Sequence, residues 1–161
     1  KVPKSLTRKK IAAKIEILNK SLINDFNIKK PKIAVSSLNP HSGEEGSIGE
    51  EEINTIEPCV DYFKDMGMKI EGPLPADTLF YKKNLNKFDA RICMYHDQAL
   101  IPLKTIDFYG GINFTAGLSF VRTSPDHGTA FNLAGKNRAN PKSLVNAIKQ
   151  AFIISENRKN K

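Results

Sequence analysis

Residues Asp89–Lys104 read DARICMYHDQALIPLK. The first seven, DARICMY, predict a buried strand that runs straight into His96-Asp97-Gln98, after which a helix or turn carries the chain to Lys104. A strand that ends on polar residues and turns into a helix is half of a β-α unit. Outward from this stretch the same alternation recurs. Upstream lie an apolar strand at Ile33–Leu38, a turn-rich loop NPHSGEEGSIG with three glycines and a proline, and a helix over 50–66. That helix is expected to turn Ile53, Ile56, Val60 and Phe63 to one side, with Glu50–Glu52 at its start suiting the helix dipole. A short strand at Lys69–Glu71 and a short helix around Thr78–Tyr81 follow. Downstream come extended segments at Asn113–Ala116 and Ser119–Thr123, then a helix over 141–157 with Leu144, Ile148, Ala151 and Phe152 on one face. Residues 5–27 predict an amphipathic helix on the spacing of Ile11, Ile15, Leu18, Leu22 and Phe26, capped by Ser5 or Thr7. Strands alternating with helices predict an α/β fold with α/β/α layers.

The chain has 161 residues, 40% hydrophobic and 26% charged, enough for a packed core and unlike a disordered or low-complexity chain. The opening KVPKSLTRKK has no apolar run behind its basic residues, and no stretch is long enough to span a bilayer. Cys59 and Cys93 form no CxxC pair, so neither a disulfide framework nor a thiolate zinc site is supported. A cytoplasmic protein without membrane partners is the expectation. The formal charge is +8, and its distribution is uneven: residues 1–32 hold 10 Lys/Arg against 2 Asp/Glu, whereas residues 33–161 hold 15 of each. The excess lies on the first helix and the KKPK segment, while the remainder is neutral. A basic helix raises nucleic acid as a partner, with salt-dependent binding lost when Lys9, Lys10 and Lys14 are neutralised. The absence of interleaved aromatics argues for a solvated face instead.

Polar residues collect where strands end, which is where ligands bind in open α/β sheets. His41 follows the strand at 33–38, His96 and Asp97 follow the strand at 89–95, and Asp77 lies in the PAD loop. Two imidazoles with nearby carboxylates suit a divalent metal, although ordinary surface histidines give the same pattern. Lys104 in LIPLK and Arg122 in FVRTS sit inside apolar stretches, which is unusual for idle charges. Together with Asn113 they would suit an anionic substrate, Arg bidentately and Lys as a point charge. His127 and Gly128 open a loop, DHGTAFNLAGKNRANP, in which the backbone can approach a ligand. There is no GxGxxG and no GxSxG, and neither cysteine neighbours a predicted base.

Read together, LNPHSGEEGSIGEEEI at 38–53, GPLPADTLF at 72–80, MYHDQALIPLK at 94–104 and GINFTAGLSFVRTSPDHGTAFNLAG at 111–135 resemble the 4-hydroxythreonine-4-phosphate dehydrogenases of pyridoxal phosphate biosynthesis. The resemblance implies an isocitrate/isopropylmalate dehydrogenase-like fold. It also implies metal-dependent oxidation of 4-phosphohydroxy-L-threonine by NAD or NADP, followed by loss of carbon dioxide to give 3-amino-2-oxopropyl phosphate. It assigns His41 and His96 to a divalent metal (zinc, magnesium, cobalt or manganese) and Lys104, Asn113 and Arg122 to the substrate. Asp77 and Asp97 fall beside the metal as outer ligands or proton-handling groups. His127, Asn132, Ala139 and Asn140 fall in what looks like the adenine-side loop, although the larger group often carries an acidic residue where Asn132 stands. The family's metal site is shared across a homodimer and includes a third histidine upstream of any residue present here. The expectation is therefore a C-terminal fragment of a two-domain enzyme, 1–32 being basic helix and linker and 33–161 carrying the site loops, with little activity alone. A dehydrogenase of a four-carbon sugar-acid phosphate would retain the same motifs.

Overall fold

The computed structural model describes residues 1–160. Its centre is a three-stranded parallel sheet, β1 (Lys32–Ser36), β2 (Lys69–Leu74) and β3 (Ala90–Ile92), in the order β2-β1-β3. Ile33 lies opposite Ile70 on one side and Ala90 on the other. As the central strand, β1 is buried from Ile33 through Ser36, the near-continuous apolar run of a parallel strand covered on both faces. Its side chains alternate. Ile33 and Val35 enter one cluster with Ile11, Ile15, Ile56, Val60 and Phe63, while Ala34 meets Leu79 and Phe88 on the opposite face. Gly72 is required where β2 crosses β1: its φ is +151°, and a Cβ there would lie 2.5 Å from the Val35 carbonyl oxygen.

Helix α1 (Val2–Ser5) is a single turn, and the expected basic helix begins after it as α2 (Arg8–Asn24). Thr7 caps it, its hydroxyl accepting from Lys10 N at 3.3 Å. Ile11, Ile15 and Leu22 are buried and Leu18 is partly buried, so the stripe packs as its spacing predicts. Phe26 lies beyond the helix end, where its ring meets Phe114 edge-on at 5.6 Å. Arg8 departs from the solvated basic face: its Nε and Nη2 both donate to the Asn54 carbonyl, at 2.9 and 2.7 Å.

The helix expected over 50–66 starts with a π-helical turn, Glu52–Ile56, and continues as α3 (Glu57–Asp65). The turn changes which residues face inward. Ile53 is exposed, contrary to expectation, and Glu52 is buried at 2% exposure rather than serving the helix dipole. The next crossover holds α4 (Ala76–Leu79). The strand expected over Asp89–Tyr95 pairs only across Ala90–Ile92 and is half-buried, because β3 is an edge of this sheet among the described residues. It leads into α5 (His96–Ile106).

Strands β4 (Ile112–Phe114) and β5 (Thr123–Pro125) form an antiparallel hairpin, the second strand starting where the expected extended segment ended. Helix α6 (Lys142–Lys159) packs on it. The face is not the predicted one: Ser143, Ala147 and Ile154 are buried, while Leu144, Ile148 and Phe152 are exposed. Small residues permit the close approach, with Thr123 Oγ1 donating to Ala147 O at 2.9 Å and Ser143 Oγ to Gly111 O at 2.6 Å. The far end of α6 is tied to α2. Arg158 Nε donates to Asp25 Oδ1 at 2.7 Å, and Ser21 Oγ donates to Asp25 Oδ2 at 2.5 Å. Among the described residues no helix is long and apolar enough to cross a membrane.

Candidate active site

The ends of the three parallel strands open on one cleft. After β1 the chain runs through Ser37 and Leu38 to Asn39, then into a turn at Pro40–Gly46. From His41 to Glu45 every φ is positive, between 44° and 83°, so this is a left-handed turn of a kind L-residues rarely sustain. Buried Glu52 holds its base. Oε1 accepts from Leu38 N at 2.7 Å and Asn39 N at 2.8 Å, and Oε2 accepts from Asn39 Nδ2 at 2.8 Å. Burial pushes the Glu52 carboxyl upward, but the hydrogen bonds from Asn39 and Leu38 outweigh it and hold the group below its ordinary value. Gly43 packs against this carboxylate: a Cβ would lie 2.8 Å from Oε2 and 2.7 Å from Gly49 O.

The other two strands contribute opposite this turn. Asp77 occupies the first turn of α4 beyond β2, and His96, Asp97 and Gln98 form the first turn of α5 beyond β3. A cavity of about 340 Å³ is lined by Leu38, His41, Asp77, Tyr95 and Gln98. A neighbouring one of about 470 Å³ shares Asp77, Tyr95 and Gln98 and adds Asp97. His41 and Asp77 line the first and Asp77 and Asp97 the second, whereas His96, exposed on the first turn of α5, lines neither. A larger cavity of about 610 Å³ lies between α2 and the β4–β5 loop at Gly117, Leu118 and Ser119, with Arg158 of α6 at its side, and is lined by none of the candidate residues.

Both histidines are held the same way. His41 Nδ1 lies 2.6 Å from Glu44 Oε1, and His96 Nδ1 lies 2.7 Å from Asp97 Oδ1. A carboxylate accepting from Nδ1–H leaves Nε2 with its lone pair free, the arrangement that orients metal-ligating imidazoles. The Glu44 contact raises the His41 pKa, and the nearby charge of Asp77 adds to it. Beside His41, the Ser42 hydroxyl oxygen is buried without a hydrogen-bond partner. Each imidazole keeps a ring nitrogen that could bind a divalent metal. Among the described residues, no group of three or more His, Cys, Asp or Glu side chains could hold an ion.

The candidate substrate residues lie on and beside the hairpin. Lys104, from α5, reaches the residue after β5: its Nζ donates to the Asp126 carbonyl and lies 2.9 Å from Asp126 Oδ2. That carboxylate oxygen is buried and lacks a well-aligned hydrogen bond, so the contact is an ion pair rather than a directed bond. Arg122 Nη1 donates to Thr115 Oγ1 at 2.9 Å across the hairpin. Asn113 sits on β4 opposite Ser124 and is exposed. The cofactor candidates are spread along the exposed segment 127–140. Ala139 lines a shallow cavity with Leu133, Gly135, Asn137 and Arg138. His127 Nδ1 contacts Gly128 O at 2.9 Å, and Asn140 Oδ1 accepts from Lys142 N at the start of α6. Asn132 lies in a short 3-10 turn and, like His127, does not line that cavity.

Glu44, Glu52, Tyr95, Gln98 and Asp126 join the site through contacts that no local motif announces. One signal was available for Glu52. Counting back from Phe63, Cys59 and Ile56 in helical steps lands on Glu52, a charge on the core stripe. The cysteines behave as structural residues. Burial pushes Cys93 up to about 11, with Arg91 pulling the other way, and burial also raises Cys59. Iodoacetamide at neutral pH is therefore expected to label both thiols slowly in the native chain and quickly in urea. Fast labelling of the native chain would contradict this assignment.

Known proteins are similar to this chain over most of its length. The family described as "Pyridoxal phosphate biosynthetic protein PdxA" matches residues 1–151. A 4-hydroxythreonine-4-phosphate dehydrogenase from Caulobacter vibrioides is 48% identical over 158 residues, covering 98% of this chain and 47% of the relative. A crystal structure of a 4-hydroxythreonine-4-phosphate dehydrogenase from Klebsiella pneumoniae superposes with a TM-score of 0.84 at 40% identity, covering 96% of this chain and 46% of that one. A terephthalate 1,2-cis-dihydrodiol dehydrogenase from Burkholderia xenovorans superposes with a TM-score of 0.74 at 28% identity, covering 94% and 48%. The chain spans about half the length of the curated relatives it matches.

Proposed function

The chain belongs to the family of the pyridoxal phosphate biosynthetic protein PdxA, and from that membership we propose that the protein carrying it oxidises and decarboxylates 4-phosphohydroxy-L-threonine. The secondary alcohol loses a hydride to NAD or NADP and a proton to the protein. The resulting β-keto acid breaks its bond to the carboxyl carbon, carbon dioxide leaves, and a proton restores 3-amino-2-oxopropyl phosphate. The observation that supports this most strongly is the pair of imidazoles at the ends of neighbouring strands, each with Nδ1 held by a carboxylate. A divalent cation bound there would lower the pKa of the reacting hydroxyl and stabilise negative charge as carbon dioxide departs.

The chain's own residues account for the rest. Nε2 of His41 and of His96 would hold the ion, and Asp77 and Asp97, on the cleft wall, would accept and return protons. Lys104 and Arg122 would neutralise the substrate's phosphate or carboxylate, with Asn113 as a hydrogen-bonding partner. The segment with His127, Asn132, Ala139 and Asn140 would receive the nucleotide. On this proposal residues 1–161 would be the C-terminal part of a two-domain enzyme that works as a homodimer, with the metal site shared between subunits. The exposed apolar face of α6 is a surface such an assembly would cover.

The test is reduction of NAD and NADP by 4-phosphohydroxy-L-threonine with zinc, magnesium, cobalt or manganese, on the full-length protein and on residues 1–161. Activity is expected in the full-length protein, with little or none in the isolated segment. His41→Ala and His96→Ala are expected to weaken metal binding at least tenfold, and comparable activity in the segment would overturn the shared-site reading. The dihydrodiol dehydrogenase likeness favours a second reading, in which the same machinery takes another hydroxylated substrate such as a four-carbon sugar-acid phosphate. A substrate panel separates the two.

A further inference from the structure

We propose that Gln98 is the positioning residue that sets the separation of the two histidine-bearing loops. The β1–β3 ladder ends at Val35 and Ile92. Beyond it the two chains run on toward His41 and His96 with no backbone pairing between them, Ser37 N donating instead to Leu74 O on the β2 side at 2.8 Å. The Gln98 side-chain amide takes the place of a peptide unit between them. Its Oε1 accepts from Met94 N at 2.7 Å, and its Nε2 donates to Ser37 O at 2.7 Å. Only one orientation of the amide satisfies both partners, since a backbone N–H requires the oxygen and a carbonyl requires the nitrogen. Gln98 is 8% exposed, so neither bond is shared freely with water.

A direct ladder bond would bring the two strands together; an inserted amide keeps them bonded and further apart. The gap it keeps is the floor of the cleft, and Gln98 lines both cavities there. Each anchored residue stands close in sequence to a histidine: Ser37 four residues before His41, and Met94 two before His96. Both polar ends of the Gln98 amide are taken up by Met94 N and Ser37 O rather than by either imidazole. Its effect on them is through the backbone, so it positions and does not ligate. A metal site tolerates little displacement of its ligands, and supporting hydrogen bonds of this kind are worth about 10–100-fold in affinity.

The inference rests on the reading of His41 and His96 as metal ligands, and the experiment separates the two. Zinc affinity is measured by competition with a chelating dye on the full-length protein, alongside His41→Ala, Gln98→Met and Gln98→Glu, with metal-free melting curves for each. Gln98→Met keeps the length and loses both bonds. Gln98→Glu keeps the acceptor for Met94 and loses the donor to Ser37, so it remains informative should the methionine variant fail to fold. The expected result is zinc affinity about 10–100-fold weaker in each folded variant at temperatures well below its melting point. Unaltered affinity in a folded variant, with or without a lowered melting point, overturns the inference while leaving the metal reading intact. Unaltered affinity in His41→Ala overturns the metal reading and the inference with it.

Discussion

Glu52→Ala is expected to cost about 2–4 kcal/mol of folding stability and to disorder the turn that carries His41. The carboxylate accepts three hydrogen bonds, two of them from the backbone of Leu38 and Asn39. Truncation leaves those donors without partners at a partly buried site, at about 1–3 kcal/mol each for a full loss. The upper end is not reached, because a side chain removed from this position admits some water. It also removes the wall on which Gly43 rests, inside a turn whose backbone is already in a disfavoured region. Glu52→Gln is expected to lose less, since one oxygen can still serve both backbone donors. Its amide nitrogen would meet the Asn39 amide nitrogen unless Asn39 turns over. Chemical denaturation measures the first effect, and zinc affinity the second.

The same group gives a pH dependence. Its folded-state pKa is held below the ordinary carboxylate value, first against burial and then by the hydrogen bonds that overcome it. The stability it contributes is therefore complete above the ordinary carboxylate range and is lost as pH falls through that range toward the folded value. Glu52→Gln should flatten the acid limb of the stability curve, and an unchanged limb would remove Glu52 from the account.

Phe63→Ala is expected to destabilise by about 3–5 kcal/mol, the usual cost of emptying an aromatic site in a packed core. Phe63 is 1% exposed. It belongs to the cluster in which α2, α3 and the sheet meet, with Ile15, Ile33, Val35, Ile56 and Ile70. No single neighbour can collapse into the space, because the cavity would be bounded by three separate elements. The Tyr62 ring, edge-on at 5.2 Å, is exposed and is held on the outer side of α3. Phe63→Leu should recover a good part of the loss. Melting curves of the two variants decide the matter, and a cost for alanine below about 1 kcal/mol would mean that the cluster is not the organising core.

The elements of the fold were legible because each has a local cause. The stripe on α2 follows from helical spacing, its start from the Thr7 cap, and the strand β1 from an unbroken apolar run flanked by polar residues. The errors came where a neighbour overruled the local pattern. Counting back from Ile56 in helical steps reaches both Glu52 and Ile53; the π-helical turn gives the inward position to Glu52, whose carboxylate meets the bare amides after β1. The Leu144–Ile148–Phe152 face of α6 is the more apolar one, yet the hairpin takes the side with Ser143 and Ala147. Small side chains there allow the closer approach and supply a hydroxyl to Gly111.

By itself the sequence determined the α/β class, the order of the elements and the polar residues at the strand ends, all properties of short windows of chain. It also carried four motifs long enough to mark the family. Only the tertiary structure decided how those polar residues are held. The bonds from Glu52 to Leu38 and Asn39, from Gln98 to Ser37, and from Lys104 to Asp126 join residues 13 to 61 positions apart. A hydrogen bond is specified by two partners arriving at one distance and angle. No property of either segment alone contains that coincidence, which packing of the sheet between its helices creates.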